Sequence, residues 1–308
     1  MSASSAAGRP KPRVAILIVN GIGRRGAAAR GMARRRRNAD QACKYPWIEL
    51  CLQQIERRSQ GWDYEVSVFD NSHLKQHRRL MREHQRVRVL PGAWFSVLGR
   101  IVKRVPIQHS DRLFELSHPK ALDYLAGKVS SDFDYIVTLD TDSFPVRDDW
   151  LDVLVSACER GAAVAGVYRN EMAPKVHPFI HVSGFCARRH DLQALGVSFG
   201  RKLQLDSGYN QDVGQKITYE FLRLGREIAP LERSNKVNYH PIVGGIYGDV
   251  IYHQGAGSRR PYFRTAENVA TNTAEVSTVL RSAAFDDIDH LIAVLRGQVP
   301  ADLGIKPL

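Results

Sequence analysis

The sequence predicts an α/β fold with a mostly parallel central sheet flanked by helices, and a smaller mixed sheet in the second half. Short runs of apolar and β-branched residues alternate with helical segments through the first half of the chain. Three of these runs end in polar residues, at Asn20, Asp70 and Asp140. The second half contains extended and Gly-rich segments in a less regular order, which indicates a change of sheet type.

The composition is that of a soluble globular protein, because 44% of the 308 residues are hydrophobic and 25% are charged. No apolar run is long enough to cross a bilayer, and residues 1–11 lack the apolar core of a signal peptide. Cys43, Cys51, Cys158 and Cys186 form no Cys-x-x-Cys pair. We expect them to be free, buried thiols in a reducing compartment, which favours a cytoplasmic location.

The formal net charge is +12, and residues 24–37 contain seven arginines and no acid. Such a run can bind nucleic acid, an anionic lipid surface or an acidic polymer, and it can also remain a solvated loop. No aromatic residue lies among these arginines, which argues against single-stranded nucleic acid. We therefore expect no nucleic-acid partner, and peripheral contact with an anionic membrane at its inner face is the specific alternative to a solvated loop.

The predicted elements of the first half are strands at 14–19, 65–69, 87–90 and 135–139, and helices at 47–58, 74–85, 94–101 and 117–126. In the second half we predict a strand at 162–167, an edge strand at 176–186 because of Pro178, helices at 191–195 and 213–224, and one Gly-rich strand within 244–259. The expected organisation is a tail (1–12), one domain (13–260, with a basic loop at 22–45 and halves at 13–143 and 144–260), and a peripheral C-terminal extension (261–308).

The central strand ends in two acids, Asp140 and Asp142, spaced two residues apart. Residues two apart on an extended strand point to the same side, so both carboxylates can reach one ion. Ligands collect at the carboxyl ends of strands in layered α/β domains. The pattern therefore predicts a site for a hard divalent cation, Mn²⁺ or Mg²⁺, beside a phosphate-bearing ligand. Turn capping is the structural alternative.

Several other polar residues have ordinary structural interpretations. Asp148 or Asp149 can cap the helix that follows the central strand. His73 and His77 are four residues apart on a predicted helix, and without an acid at metal-binding spacing we expect them on a solvated face. His118 is expected to be an N-cap.

The order of elements, with the run Ile136-Val137-Thr138-Leu139-Asp140-Thr141-Asp142, resembles the Rossmann-like GT-A-fold glycosyltransferases, particularly the inverting family 2, from about Val14 to Arg260. The resemblance implies transfer of a sugar from a nucleotide-diphosphate sugar to the hydroxyl of a carbohydrate or lipid-linked acceptor. It implies that Asp70 contacts the base, and that Asp140 and Asp142 hold the ribose and the metal.

The resemblance also implies that His253 completes the metal shell and that an acid at the start of a later helix is the base. Asp212 fits that role and Asp206 is the second candidate, although the Glu-Asp pair frequent in family 2 is missing here. Asp212 is equally well placed to cap its helix. Asn20, Lys120 and Arg259 are expected to add donor contacts, the two cations through charge-assisted hydrogen bonds to phosphate.

Three other functions remain open at this point. A haloacid-dehalogenase-like phosphohydrolase would use Asp140 as its nucleophile, but that motif usually lies on the first strand. A nucleotidyltransferase shares much of the geometry, but the Gly-rich basic motif expected after its first strand is missing. A basic protein that binds nucleic acid or anionic lipid would leave the paired acids without a role. The sequence does not select the sugar, the nucleotide or the acceptor.

Overall fold

The computed structural model describes residues 11–21, 44–72, 74–91, 118–171, 177–196, 198–200, 212–255 and 273–308. Some of the predictions fall outside these residues. They are most of the tail and of the basic loop, the short helix at 94–101, His73, Cys43, Asp206 and Arg259. The described part of the chain contains no helix with both the length and the apolar composition needed to cross a membrane.

The strands are β1 (Val14–Asn20), β2 (Tyr64–Asp70), β3 (Val87–Pro91), β4 (Tyr135–Asp140), β5 (Ser143–Pro145), β6 (Val164–Arg169), β7 (Phe179–Arg188), β8 (Ile228–Leu231), β9 (Val243–Tyr247) and β10 (Ile251–Gly255). The helices are α1 (Trp47–Arg58), α2 (Lys75–Arg82), α3 (His118–Ala126), α4 (Trp150–Glu159), α5 (Arg189–Leu195), α6 (Gln215–Arg223), α7 (Thr273–Asp286) and α8 (Ile288–Leu295). The described elements of the first half follow the predicted order.

Seven strands form the main sheet in the order β3-β2-β1-β4-β7-β6-β8. Strands β1 to β4 pair in parallel, and β6 pairs in parallel with β8. Only β7 is reversed within this sheet, because it pairs antiparallel with both β4 and β6. The predicted mostly parallel sheet is confirmed.

The position predicted for the strand after Pro178 is wrong. Strand β7 lies inside the sheet between β4 and β6, and nine of its ten residues are buried. Pro178 precedes the first residue of the strand, so its missing N–H removes no hydrogen bond from the ladder. The reversal of β7 brings its first residues, rather than its last, to the edge where the parallel strands end.

A second sheet contains β5, β10 and β9 and is entirely antiparallel. The Gly-rich segment was predicted as one strand, but it forms the two strands β9 and β10. The turn between them contains Gly248 and Asp249, both with positive φ, at 57° and 58°. Two adjacent left-handed residues suit a tight turn, which explains how a short Gly-rich stretch reverses direction.

Strand β1 shows how helices cover both faces of the main sheet. Val14, Ile16 and Ile18 belong to one hydrophobic cluster, whereas Ala15 and Leu17 belong to another. This alternation is the period of two that a strand imposes. Helices α1, α4, α7 and α8 contribute to the first cluster, and α3, α5 and α6 contribute to the second.

The C-terminal residues are not the peripheral helix and tail that was predicted. They form two helices, α7 and α8, and the side chains of Leu280, Leu291, Val294 and Leu295 are fully buried in the main core. Apolar residues of α8 recur at helical spacing toward the sheet, and Asp287 caps the helix by accepting a hydrogen bond from the His290 N–H. These helices are therefore part of the folded core.

Candidate active site

The main sheet has one topological switch point, between β1 and β4. The chain places β2 and β3 on one side of β1 and then returns to place β4 on the other side. Connections leave the carboxyl ends of β1 and β4 in opposite directions, which opens a crevice above them. Asn20 and Asp70 are paired in register at this edge, and Asp140 pairs with Val19. The polar strand ends therefore meet at one place.

The sequence predicted that Asp140 and Asp142 lie on one continuous strand. In the structure a tight turn brings them together instead. Strand β4 ends at Asp140, and Asp142 lies in the turn before β5. Ser143 closes this turn, because its Oγ accepts a hydrogen bond from the Asp140 N–H at 2.8 Å and donates one to the Asp140 carbonyl at 3.0 Å. Cys51 supports the turn from below by donating to the Ser143 carbonyl.

His253 reaches the acid pair from the second sheet. In the antiparallel pairing of β10 with β5 it stands opposite Ser143, next to Asp142 in the chain. Its Nε2 lies 3.7 Å from Asp140 Oδ2 and 3.8 Å from Asp142 Oδ1. The imidazole is 5% exposed, whereas the two carboxylates are half-buried. The three residues named from the sequence are brought together.

This cluster has the chemistry of a divalent cation site. One ligand atom from each of Asp140, Asp142 and His253 lies within 4.8 Å of the others. Two carboxylates and one imidazole match the hard to intermediate ligand set that suits Mn²⁺. Three protein ligands leave other coordination positions for oxygen atoms of a bound ligand. The residues present therefore fit a resident divalent cation.

His118 is a site residue that sequence reasoning missed. It was expected to be an N-cap, but its Nε2 lies 3.2 Å from Asp140 Oδ1, the oxygen distal to His253. Helix α3 packs across β1 and β2 and leads into the start of β4, so the first turn of α3 lies over the carboxyl edge of the sheet. This topology was the available signal: a polar side chain in that turn points to the acids that end β4.

Asp212 lies three residues before α6, and the structure does not make it the N-cap. Gly214 occupies that position with a φ of +89°, while the Asp212 carboxylate accepts a hydrogen bond from the Val213 N–H at 2.8 Å. Its second oxygen lies 4.0 Å from Nε2 of His181, which belongs to the first residues of β7. The ring of His181 in turn stacks on His253, with centroids 5.6 Å apart.

Asp70 is fully buried and accepts four hydrogen bonds from protein donors. It accepts hydrogen bonds from Asn20 Nδ2, from the N–H and hydroxyl of Ser72, and from Arg78 Nε. Three of these bonds end on Oδ1 and one ends on Oδ2, so the carboxylate is held firmly by protein donors. His77 was expected on a solvated face, which is wrong: it is 4% exposed and faces Asn20 Nδ2 through Nδ1 at 3.2 Å.

A second buried polar group was also missed, at the end of β6. Arg169 donates to Glu171 at 3.0 Å, and the Tyr247 hydroxyl donates to the other oxygen of Glu171 at 2.5 Å. Burial raises the pKa of Tyr247 to about 12, so the phenol stays protonated at neutral pH. Burial acts to lower the pKa of Arg169, but the negative charges of its neighbours, Asp212 among them, outweigh burial and raise it. Asp212 therefore has a fixed cation nearby.

The remaining predicted residues have mixed outcomes. Lys120 is exposed on α3 and, among the residues that the structure describes, forms no ion pair with the acids. Asp149 stands at the N-cap of α4 as predicted, but its side chain pairs with Arg147 and makes no capping bond. Cys51, Cys158 and Cys186 are free and buried, as predicted. Asp206 and Arg259 lie outside the described residues.

No protein-family model matches the chain, and no curated protein matches it. Among solved structures, it is similar to the mannosyltransferase PcManGT from Pyrobaculum calidifontis in complex with GDP-Man and Mn²⁺, at 13% identity and a TM-score of 0.42. That match covers 74% of this chain and 58% of the mannosyltransferase, so it spans little more than half of that protein.

Two other solved structures have similar scores. Glucosyl-3-phosphoglycerate synthase from Mycobacterium tuberculosis matches at 15% identity and a TM-score of 0.42, over 72% of this chain and 70% of that one. The 4-diphosphocytidyl-2C-methyl-D-erythritol synthase from Anaerococcus prevotii matches at 8% identity and 0.41, over 72% and 87%. These likenesses concern overall fold, and the function proposed below rests on the side chains of the site.

Proposed function

We propose that the protein is a metal-dependent glycosyltransferase that moves a sugar from a nucleotide-diphosphate sugar to an acceptor hydroxyl with inversion. The observation that carries this proposal is the meeting of Asp140, Asp142 and His253 beside the switch point of the sheet. A crevice of this type suits a nucleotide, and a cation at its floor suits a pyrophosphate.

Asp140, Asp142 and His253 would hold the cation. When bound, a divalent cation stabilises the negative charge that develops on the diphosphate leaving group. His118 keeps the Asp140 carboxylate oriented through its Nε2 contact, which is the usual role of a group behind a metal ligand. The two carboxylates formally cancel both charges of a divalent cation, so further cationic side chains would be needed to balance a bound diphosphate.

The donor's nucleoside would lie toward Asn20 and β2. The carboxylate of Asp70 holds Asn20 and Arg78 in fixed positions at the edge of the site, and its contact with the donor's base remains a proposal. Lys120 and Arg259 remain proposed donor-binding cations. Lys120 is exposed in the first turn of the helix that also carries His118, and we propose that its ammonium contacts a donor phosphate.

Asp212 would act as the base on the acceptor side. The acceptor oxygen attacks the anomeric carbon, the bond from that carbon to the diphosphate oxygen breaks, and the nucleoside diphosphate leaves with the electron pair. The acceptor proton passes to a carboxylate oxygen of Asp212. One displacement of this kind inverts the anomeric centre. Asp206 remains the second candidate for this role.

The wider proposals concern partners and location. We propose a carbohydrate or lipid-linked acceptor, a catalytic domain that comprises residues 13–260 together with the packed helices α7 and α8, and a cytoplasmic location with peripheral contact between the basic loop and anionic lipid. The acceptor class follows from the reaction type, and the location follows from cysteine usage and from the charge of residues 24–37.

The test is release of free nucleoside diphosphate from a panel of UDP-, GDP- and dTDP-sugars with Mn²⁺ and mixed acceptors. We expect release with one donor class, its loss on chelation, and its loss in Asp142→Asn with unchanged circular dichroism. Asp302→Asn is the matched control, because that carboxylate is 71% exposed and belongs to the C-terminal segment. Release of inorganic phosphate from simple phosphomonoesters, with none from nucleotide sugars, would instead identify a phosphohydrolase.

A further inference from the structure

His181 connects the two halves of the candidate site. It is the third residue of β7, the reversed strand, and therefore lies at the edge where the parallel strands end. One face of its ring stacks on His253 at 5.6 Å with an interplanar angle of 23°, and Phe179 contacts it edge-on at 5.7 Å. Its ring position is thus fixed by aromatic contacts on the cation side.

The orientation of the two ring nitrogens is also fixed. The Ser183 N–H donates to His181 Nδ1 at 3.1 Å, and the Ser183 hydroxyl lies 2.8 Å from the same nitrogen. A backbone N–H can only donate, so Nδ1 is the acceptor and the neutral imidazole carries its proton on Nε2. That N–H faces Asp212 Oδ2 at 4.0 Å, and a shift of about 1 Å would make this contact a hydrogen bond.

We propose that His181 is a positioning residue for Asp212, which it holds through Nε2–H at a set distance from the cation ligands. The inference rests on the proposed function, because it assigns Asp212 the role of base. The Val213 N–H donates to Oδ1 of the Asp212 carboxylate, and His181 Nε2 faces Oδ2 at 4.0 Å, from where a small shift would let it hold the other side. The carboxylate then keeps one orientation toward an acceptor hydroxyl, and contacts of this kind tighten when substrate binds.

The location of His181 gives this role a geometric basis. The same ring contacts the metal-ligand imidazole and faces the base, so a single rigid side chain sets the separation between them. It is 7% exposed and therefore cannot rotate freely. His181 does not touch the reacting atoms in this arrangement, and it acts through Asp212.

Two substitutions separate the N–H from the ring. His181→Phe keeps the aromatic contacts with His253 and Phe179 but has no donor toward Asp212. His181→Gln loses the ring but can place an amide N–H near the position of Nε2. We expect His181→Phe to lower kcat for transfer by about 10- to 100-fold, the range typical of groups that orient a functional residue. The KM for the donor and the affinity for Mn²⁺ with nucleoside diphosphate should change less than about twofold, because the cation side is intact. His181→Gln should recover a large part of kcat.

A double substitution tests whether His181 acts through Asp212. His181→Phe combined with Asp212→Asn should be no slower than Asp212→Asn alone, since residues that act as a unit are not additive. His190→Phe is the control, because that histidine is 68% exposed on α5 and should leave every rate unchanged. The melting temperature of each variant shows whether it is folded under the assay conditions.

The outcomes are separable. A wild-type rate in His181→Phe, equal loss in the Phe and Gln variants, or multiplicative effects in the double variant would each overturn the positioning role while leaving sugar transfer intact. Failure of the wild-type protein to release nucleoside diphosphate from any nucleotide sugar, with Mn²⁺ binding retained, would overturn the proposed function and with it this role.

Discussion

The Gln254 N–H donates a hydrogen bond to the carbonyl of Asp142 at 2.9 Å. This bond joins a turn after the fourth strand to a strand more than a hundred residues later. It sets the distance between Asp142 and the neighbouring His253, so the cation ligands are positioned by backbone as well as by side-chain contacts. The Gln254 side chain is itself anchored on α7, where it donates to Ser277. The C-terminal helices therefore support the site.

Replacing His253 should change metal preference as well as affinity. Mg²⁺ prefers oxygen ligands in regular octahedral geometry, whereas Mn²⁺ accepts an imidazole more readily. We expect Mn²⁺ with nucleoside diphosphate to raise the melting temperature of the wild-type protein more than Mg²⁺ does, and His253→Gln to remove most of that difference. His190→Gln should behave as wild type, and an identical Mn²⁺ advantage in His253→Gln would show that the imidazole does not bind the ion.

His118 should affect the cation although it is not one of its three ligands. Its Nε2 contact orients Asp140, and loss of such a contact typically weakens metal binding by about 10- to 100-fold. We expect His118→Ala to show this loss in Mn²⁺ titrations monitored by electron paramagnetic resonance. His118→Gln, which can restore a donor, should bind more tightly than His118→Ala. If both variants bind Mn²⁺ as the wild type does, His118 has no orienting role.

Gly255 should be required for the end of β10 to keep its path beside β9. Its φ is +81°, and a Cβ added there would lie 2.4 Å from the carbonyl oxygen of Ile242. We expect Gly255→Ala to destabilise the protein by at least about 2 kcal/mol, since a left-handed conformation alone costs about 1–2 kcal/mol and a backbone clash is added.

Gly61 provides the matched control for that substitution. It also has a positive φ, +76°, but an added Cβ would meet nothing within 4 Å. Gly61→Ala should therefore cost only the conformational part, about 1 kcal/mol. Equal denaturant midpoints for the two variants would exclude the clash with Ile242.

Arg78 and Arg79 should differ greatly although they are neighbours on α2. Arg78 pairs with the fully buried Asp70, whereas Arg79 is 78% exposed and its nearest acid, Glu83, is 3.9 Å away. Removing one partner of a buried pair leaves an uncompensated charge and costs about 3–5 kcal/mol. Since Arg78 is 27% exposed, we expect Arg78→Leu to cost about 2–3 kcal/mol in urea unfolding and Arg79→Leu to cost less than about 0.5 kcal/mol.

Deletion of residues 24–37 should separate membrane association from donor chemistry. We expect the shortened protein to release nucleoside diphosphate at the wild-type rate, because the proposed cation ligands lie elsewhere in the chain. Its sedimentation with anionic vesicles should fall, since seven positive charges are lost. Neutral vesicles are the control, and unchanged sedimentation with anionic ones would remove the basic loop from membrane contact.

The parts of the fold and site that were predictable depend on local patterns. An apolar run that ends in acids predicts both a buried strand and the position of its carboxyl end. The strand β4 and the site residue Asp140 were therefore predicted together. Helical spacing likewise predicted α1, confirmed at Trp47–Arg58, and α6 near its observed limits. The convergence of His253 with the acids followed from the resemblance and not from spacing.

The remaining features depend on long-range topology, which periodicity does not contain. A buried strand has the same apolar pattern whether it runs parallel or antiparallel, so the central, reversed position of β7 and the role of His181 were not predictable. His77 was placed in solvent because no acid lies near it at metal-binding spacing, yet it is one of two buried residues of the strongly polar α2, with Met81, and it meets Asn20. The contact of Glu171 with Tyr247 joins residues 76 positions apart, because β6 ends beside the second sheet.

Because β7 is reversed, sequence changes near His181 and sequence changes near Asp140 and Asp142 affect different segments of the chain. The cation ligands come from the exit of β4 and from the hairpin of the small sheet, whereas His181 comes from the entry of β7. An insertion or deletion just before Phe179 would shift the entry of β7 while leaving the turn at Asp142 untouched. Under the proposed function, relatives could therefore differ in the acceptor they use while the proposed ion site is retained.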